Sequence, residues 1–247
     1  MNSPISPPAP SSTSTITSIP SSSSASSSSS SSSSSIPAPA ATAPQATFGS
    51  PYAAPDAAAE LLRSTGIGVR ALRAGDAAPY GALLDARGGT VALPDAWRNG
   101  PAIVLFIRGG WCRACSLLLR HWREYGDELR ALNTTLIAVS PQSPELTDRT
   151  VVDNGVDFAV LSDPELAAAN GFGISFTLSP DAVDLYAANG IDVPVLNGNG
   201  LWVLPVPATY VVGPDGVIRY AHIEGDPTPA PKPEDVLFEV EERFGWQ

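Results

Sequence analysis

Cysteine, histidine and lysine are all scarce in this chain of 247 residues, which has two cysteines, two histidines and the single lysine Lys232. Two cysteines cannot supply the disulfide framework of a small secreted domain. Basic residues number 14 against 25 acidic ones, a formal charge of −11, so neither nucleic acid nor an anionic lipid surface is an expected partner. Nothing approaches the roughly 18 apolar residues of a membrane span, and no membrane is expected among the partners. The first basic residue is Arg63, so the chain lacks the charged start of a secretory signal and the arginines of a transit peptide. The expected location is cytoplasmic, with a plastid or other organelle as the alternative that a serine-rich start keeps open.

Serine is what abounds at that start. Residues 1–56 are nearly all Ser, Pro, Ala and Thr, with an unbroken run from Ser26 to Ser35. Such a composition lacks the apolar mass to offset the entropy of ordering, and it predicts a disordered tail. Residues 57–247 are enough for one domain, which by size would bury about 70% of its extended-chain surface.

Both cysteines fall in Arg108-Gly109-Gly110-Trp111-Cys112-Arg113-Ala114-Cys115. Ahead of this stretch, Ala102 to Ile107 is a continuous apolar run of strand length, suited to a strand buried on both faces. Behind it, Cys115, Leu118, Leu119, Trp122, Tyr125, Leu129 and Leu132 recur at helical spacing and predict one amphipathic helix. The pair therefore sits at a strand-to-helix junction. There the unpaired N–H groups and partial positive charge of a first helical turn favour a thiolate, and Arg108 and Arg113 add full charges. Lowering a thiol pKa from about 8.5 to about 6 raises the thiolate fraction at neutral pH roughly thirtyfold. By this argument Cys112, nearer the helix terminus, is the reactive sulfur.

Along the chain, Ala57 to Arg63 predicts a short helix ended by Gly66-Ile67-Gly68. Tyr80 to Asp85 and Thr90 to Leu93 predict an edge hairpin, and Pro94 to Arg98 a helical turn. Thr134 to Val139 predicts a second buried strand, completing a strand, helix, strand crossover with parallel strands. The loop Ser140-Pro141-Gln142 then leaves the same sheet edge as Cys112, where ligands of open α/β sheets bind. Helices are predicted over Pro144 to Val152, Pro164 to Asn170, Ala182 to Ala188 and Pro233 to Phe244, and a strand over Phe158 to Leu161. Ala208 to Val212 and Val217 to His222 read as strand, turn, strand. Phe172 to Val203 otherwise shows little pattern.

Four segments stand out: Gly75-Asp76-x-x-Pro79; Val160-Leu161-Ser162-Asp163-Pro164 with Gly171-Phe172-Gly173; Pro207-Ala208-Thr209-Tyr210-Val211-Val212-x-Pro214-Asp215-Gly216; and the Gly-Gly-Trp-Cys-x-x-Cys stretch with Ser140-Pro141-Gln142. Together, over about Leu72 to Phe244, they resemble the peroxiredoxin branch of the thioredoxin fold. The first three look like segments of alkyl hydroperoxide reductase and its relatives, and the fourth like one peroxiredoxin-like subgroup. The resemblance implies an α/β, thioredoxin-like fold of peroxiredoxin type, with a central mixed sheet flanked by helices. It also brings departures. In the family's Pro-x-x-x-Thr-x-x-Cys register this chain has Arg108 for the proline, Cys112 for the threonine and Cys115 for the peroxide-attacking cysteine. The family arginine before the last strand pair falls on Pro207, where thioredoxins place a cis-proline against their own Cys-x-x-Cys.

The expectation is thus a peroxiredoxin scaffold around a thioredoxin-type site, with Cys112 and Cys115 catalytic and Arg108, Trp111 and Pro207 supporting them. Arg108 would stabilise the thiolate and a leaving oxygen, Trp111 would shield the thiols, and Pro207 would present a cis peptide to the substrate. The resemblance implies a peroxide substrate and thioredoxin, glutaredoxin or glutathione as reductant, and it allows a homodimer. Helix-terminus physics names Cys112 as the attacking sulfur and the family register names Cys115, and for peroxide chemistry the expectation is Cys115. A thiol-disulfide oxidoreductase and a non-catalytic binding module are the alternatives. Cys112, Cys115, His121 and His222 together offer four zinc ligands, but the histidines lack finger spacing and Cys115 and His121 fall on different sides of one helix. No metal and no organic cofactor is expected.

Overall fold

The computed structural model describes residues 55–245; the predicted tail lies almost wholly outside them. A seven-stranded mixed sheet organises this region. It is built from β1 (Ala82–Leu84), β2 (Thr90–Ala92), β3 (Ala102–Phe106), β4 (Thr135–Ser140), β5 (Ala159–Ser162), β8 (Ala208–Val212) and β9 (Ile218–Ile223), in the order β2-β1-β5-β4-β3-β8-β9. β3 pairs in parallel with β4 and antiparallel with β8, while β4 pairs in parallel with β5. The predicted hairpin is present as β1 and β2, and it forms one edge of the sheet.

The sheet is covered on both faces, as the unbroken apolar run of β3 requires. Ala102, Val104 and Phe106 of β3 join Ile137, Val139, Tyr210 and Val212 in one core, and Ile103 and Leu105 join Leu136, Ala138 and Val211 in the other. The second core also takes in Cys115, Leu119 and Trp122 from α3 (Arg113–Trp122), a buried stripe at helical spacing. Val236, Leu237 and Val240 of α9 (Pro233–Phe244) complete it.

The helix predicted to run from Cys115 to Leu132 is in fact three pieces. α3 ends at Trp122, a 3₁₀ turn covers Arg123–Tyr125, and α4 (Gly126–Ala131) follows. Tyr125, at φ −109° and ψ 22°, has left helical geometry just before Gly126, a poor helix former. The apolar stripe nonetheless carries across the break, because Leu129 stays buried with Leu119 and Trp122.

Two further corrections lie at helix starts. Gly66 ends α1 (Pro55–Ser64) in a left-handed conformation, but Ile67 and Gly68 belong to a second short helix, α2 (Ile67–Arg70). The helix predicted from Pro164 begins later, as α6 (Ala167–Gly171), because Leu166 takes φ +56° and the buried Asp163 carboxylate accepts from Ala168 and Ala169 N–H at 3.2 and 3.0 Å. α5 (Pro144–Asn154) has proline in its first turn, Ser143 as its cap and Gly155 at φ +60° after its end.

The weakly patterned stretch proves to be ordered. It holds β6 (Ser175–Thr177), α7 (Pro180–Ala188), α8 (Val193–Asn197) and β7 (Val203–Pro205), with β6 and β7 paired as a separate two-stranded sheet. α7 and α8 start at Ser179 and Asp192, whose side chains cap Ala182 and Val195 N–H. Among the described residues no helix is long and apolar enough to cross a membrane.

Candidate active site

The site is made where β3 ends. Ile107 continues the line of the strand, its N–H donating to Val139 O at 2.9 Å. Gly109 then turns the chain at φ +135°, a conformation open to glycine and strained for other residues. Gly110 is crowded differently, since a Cβ there would fall against Thr150, whose own Cβ would lie 3.0 Å away. Both glycines of the Gly-Gly-Trp-Cys stretch are therefore required by space or backbone, and they set the position of Cys112.

Gln142 clamps this loop from the end of β4. Its Oε1 accepts from Gly110 N–H at 2.7 Å and from Thr150 Oγ1 at 3.0 Å, while its own N–H donates to Ser140 Oγ at 3.2 Å. Ser116 Oγ of α3 donates to Gly110 O at 2.8 Å from the other side. The loop after β4 thus meets the cysteine loop at the predicted sheet edge.

Cys112 is the N-cap residue of α3, in extended conformation, and Cys115 is in its first turn. Both thiols are free and both are buried, at 7% and 4% exposure. Their electrostatics differ sharply. A hydrogen bond from Cys115 does most to bring Cys112 down, to about 6; burial opposes it, and the Arg108 charge and a backbone N–H of Cys115 assist. Cys115 is held well above the usual thiol range, first by its hydrogen bond to Cys112 and then by burial. Of the two, Cys112, at the helix terminus, is therefore the one held toward the thiolate, and Cys115 the one held as a thiol.

Arg108 is no solvated surface residue. It is 3% exposed, and its guanidinium lies 3.3 Å from the Glu224 carboxylate. Burial works against its charge, but Cys112, Cys115 and Glu224 outweigh that and hold it protonated. Arg113, the other predicted charge, is exposed. Trp111 is half-buried, packs against the core that contains both cysteines, and meets Tyr186 of α7 edge to face at 5.8 Å between ring centres. Pro207 comes just before β8 and one step beyond the last register pair, Phe106 with Ala208, which puts it beside the end of β3. Its carbonyl accepts from Glu224 N–H at 2.8 Å.

The structure adds two residues that sequence reasoning missed. Glu224, one residue past β9, holds Arg108, and Tyr186 supports Trp111 from the stretch with little pattern. Neither histidine joins the cysteines. His121 packs against the Tyr125 ring at 5.7 Å, and His222 Nδ1 lies 3.4 Å from Thr228 Oγ1. Among the described residues no group of three or more His, Cys, Asp and Glu is disposed to hold a metal ion.

With this geometry in hand, comparisons with known proteins place the chain. Over 104 matched residues it is 27% identical to the thioredoxin-like protein AAED1, chloroplastic, of Arabidopsis thaliana, across 40% of this chain and 42% of that protein. A second relative, the thiol-disulfide oxidoreductase ResA of Halalkalibacterium halodurans, is 29% identical over 103 residues, 41% of this chain and 57% of its own length. The matches thus span about half the length of these relatives. Among solved structures, peroxidoxin BcpB of Mycobacterium tuberculosis superposes with a TM-score of 0.56 at 16% identity, covering 69% of this chain and 97% of that one. A peroxiredoxin-like protein of Aquifex aeolicus gives 0.54 at 14% identity, covering 70% and 88%. At such identities these neighbours establish the fold, a thioredoxin-like α/β fold. The model of the AhpC/TSA family matches residues 74–221, more than half of the chain and all of the site from Arg108 to Pro207, and the chain belongs to that family.

Proposed function

We propose that this chain is a thiol peroxidase that cycles Cys112 and Cys115 between dithiol and disulfide. The observation that carries the reading is a pair of free, buried cysteines with a buried guanidinium, Arg108; the Cys115 hydrogen bond and the Arg108 charge both favour Cys112 as the thiolate. Cys112 Sγ attacks one oxygen of hydrogen peroxide or an organic hydroperoxide, and the O–O bond breaks. Hydroxide or alkoxide leaves beside Arg108 and takes a proton from water, and Cys112 becomes a sulfenic acid. Cys115 Sγ then attacks the Cys112 sulfur; its proton leaves with the sulfenic hydroxyl as water, and the disulfide forms. Thioredoxin, glutaredoxin or glutathione returns two electrons and two protons.

Exposures of 7% and 4% favour a small oxidant, because a protein disulfide has to bring three sulfurs into line at an accessible thiolate. The second reading, a thiol-disulfide oxidoreductase, is favoured by the low pKa of the N-terminal cysteine of the pair and by the match to ResA. Rates on hydrogen peroxide and on insulin disulfides, compared for the reduced full chain, separate the two. Faster thiol loss with peroxide supports the peroxidase; faster insulin reduction transfers the same cysteines to disulfide exchange. A cytoplasmic location belongs to the same reading.

A further inference from the structure

Arg108 keeps its charge throughout such a cycle, but the sulfur facing it does not. In the dithiol form the Cys112 thiolate supplies a negative charge beside the guanidinium, and in the disulfide form neither sulfur does. Leaving a guanidinium that is 3% exposed without a nearby anion is strongly unfavourable. A lasting anion is present in Glu224, 3.3 Å from Arg108 with a side chain 30% exposed. Its backbone is fixed as well, through the N–H that donates to Pro207 O at 2.8 Å. Glu224 also acts on the sulfur directly, since its charge opposes the Cys112 thiolate, and burial in turn raises the pKa of Glu224 itself.

We propose that Glu224 is a positioning residue that poises the Cys112–Cys115 couple toward the disulfide. It repels the thiolate and shares Arg108 with it while the pair is reduced, then takes the guanidinium over when the thiolate is consumed. This makes the pair a stronger reductant than Arg108 alone would leave it. A thiolate held too firmly is also a weaker nucleophile, because nucleophilicity falls with pKa. The inference rests on the dithiol–disulfide cycle of the proposed function.

The test compares the full chain with Glu224→Gln and Glu224→Asp in two measurements that need no peroxide. Equilibration with reduced and oxidised dithiothreitol, read by thiol labelling, is expected to shift about tenfold toward the dithiol in Glu224→Gln, equal to about 30 mV for a two-electron couple. The pH midpoint of Cys112 alkylation by iodoacetamide is expected to fall below its starting value of about 6. Glu224→Asp should keep both wild-type values. If Glu224 merely held the fold, its loss would displace Arg108 and the midpoint would rise. A rising midpoint, an unmoved equilibrium, or an aspartate variant that behaves like glutamine would overturn the proposal. Glu224→Ala removes the same charge and is read the same way, so the result does not hang on one variant folding. A wild-type chain that forms no Cys112–Cys115 disulfide with oxidised dithiothreitol would contradict the cycle itself; one that forms it, with Glu224→Gln indistinguishable, would contradict the role of Glu224 alone.

Discussion

At the scale of single residues, the contact between the two sulfurs outweighs the neighbouring arginine. Cys115 donates to Cys112, and this does more to lower the Cys112 pKa than the Arg108 charge does. The sign of the pH dependence follows. Cys112 reacts as a thiolate above about pH 6 and is silenced as a thiol below it. Cys115→Ala removes the donor and should move the alkylation midpoint up toward the free-thiol value of about 8.5. Cys115→Ser keeps an O–H donor and should hold the midpoint low. Rates of iodoacetamide labelling across pH 4 to 9 (about one unit per point suffices) check both. Equal midpoints in the alanine and serine variants would mean that the second sulfur's hydrogen bond sets nothing.

At the scale of elements, the junction between β3 and α3 depends on its two glycines. Gly110→Ala would push a methyl into Thr150, which Gln142 and Leu146 already hold through its hydroxyl at 3.0 and 2.8 Å. The expected cost is about 1–3 kcal/mol, as for other overpacked sites, measured by urea unfolding. Because the loop places Cys112 at the head of α3, the alkylation midpoint should rise in the same variant. Stability within 0.5 kcal/mol of wild type, a common surface-site result (about ±0.5), would show that the clamp is loose. This junction was legible in the sequence because its signals are local: an apolar run, two glycines, then a helical stripe. Phe172 to Val203 was harder to read because its elements are short, three residues each in β6 and β7 and five in α8. The Ser179-Pro180 and Asp192-x-Pro194 helix starts were the signals available there. The break after Trp122 was hidden because the apolar spacing carries straight across it.

Across the whole molecule, distant charge pairs are few and share one destination. Of the eight ion pairs among the described residues, six join positions three or four apart; the other two are Arg73 with Asp226 and Arg108 with Glu224. Both land in the turn after β9. Asp226 accepts from both terminal nitrogens of Arg73 at 2.6 and 2.9 Å, fastening the segment ahead of β1, and Glu224 takes Arg108 of the site. Pairs of this kind cannot be read from one sequence, since Arg108 and Glu224 are 116 residues apart and no spacing rule couples them. The parallel centre of the sheet and the cysteine edge were legible, because crossover topology follows from the strand, helix, strand order, whereas the mixed character of the sheet came from the family resemblance.

The claim on which the rest depends is that Cys112 attacks and Cys115 resolves. We would treat reduced full-length Cys115→Ser and Cys112→Ser chains with hydrogen peroxide in the presence of dimedone, which labels sulfenic acids, and locate the label by peptide mass spectrometry. The account predicts a label on Cys112 in Cys115→Ser, none on Cys115 in Cys112→Ser, and an unlabelled Cys112–Cys115 disulfide in the wild type. A label that forms rapidly on Cys115 when Cys112 is absent would contradict it and return the attacking role to the position that the family register assigns.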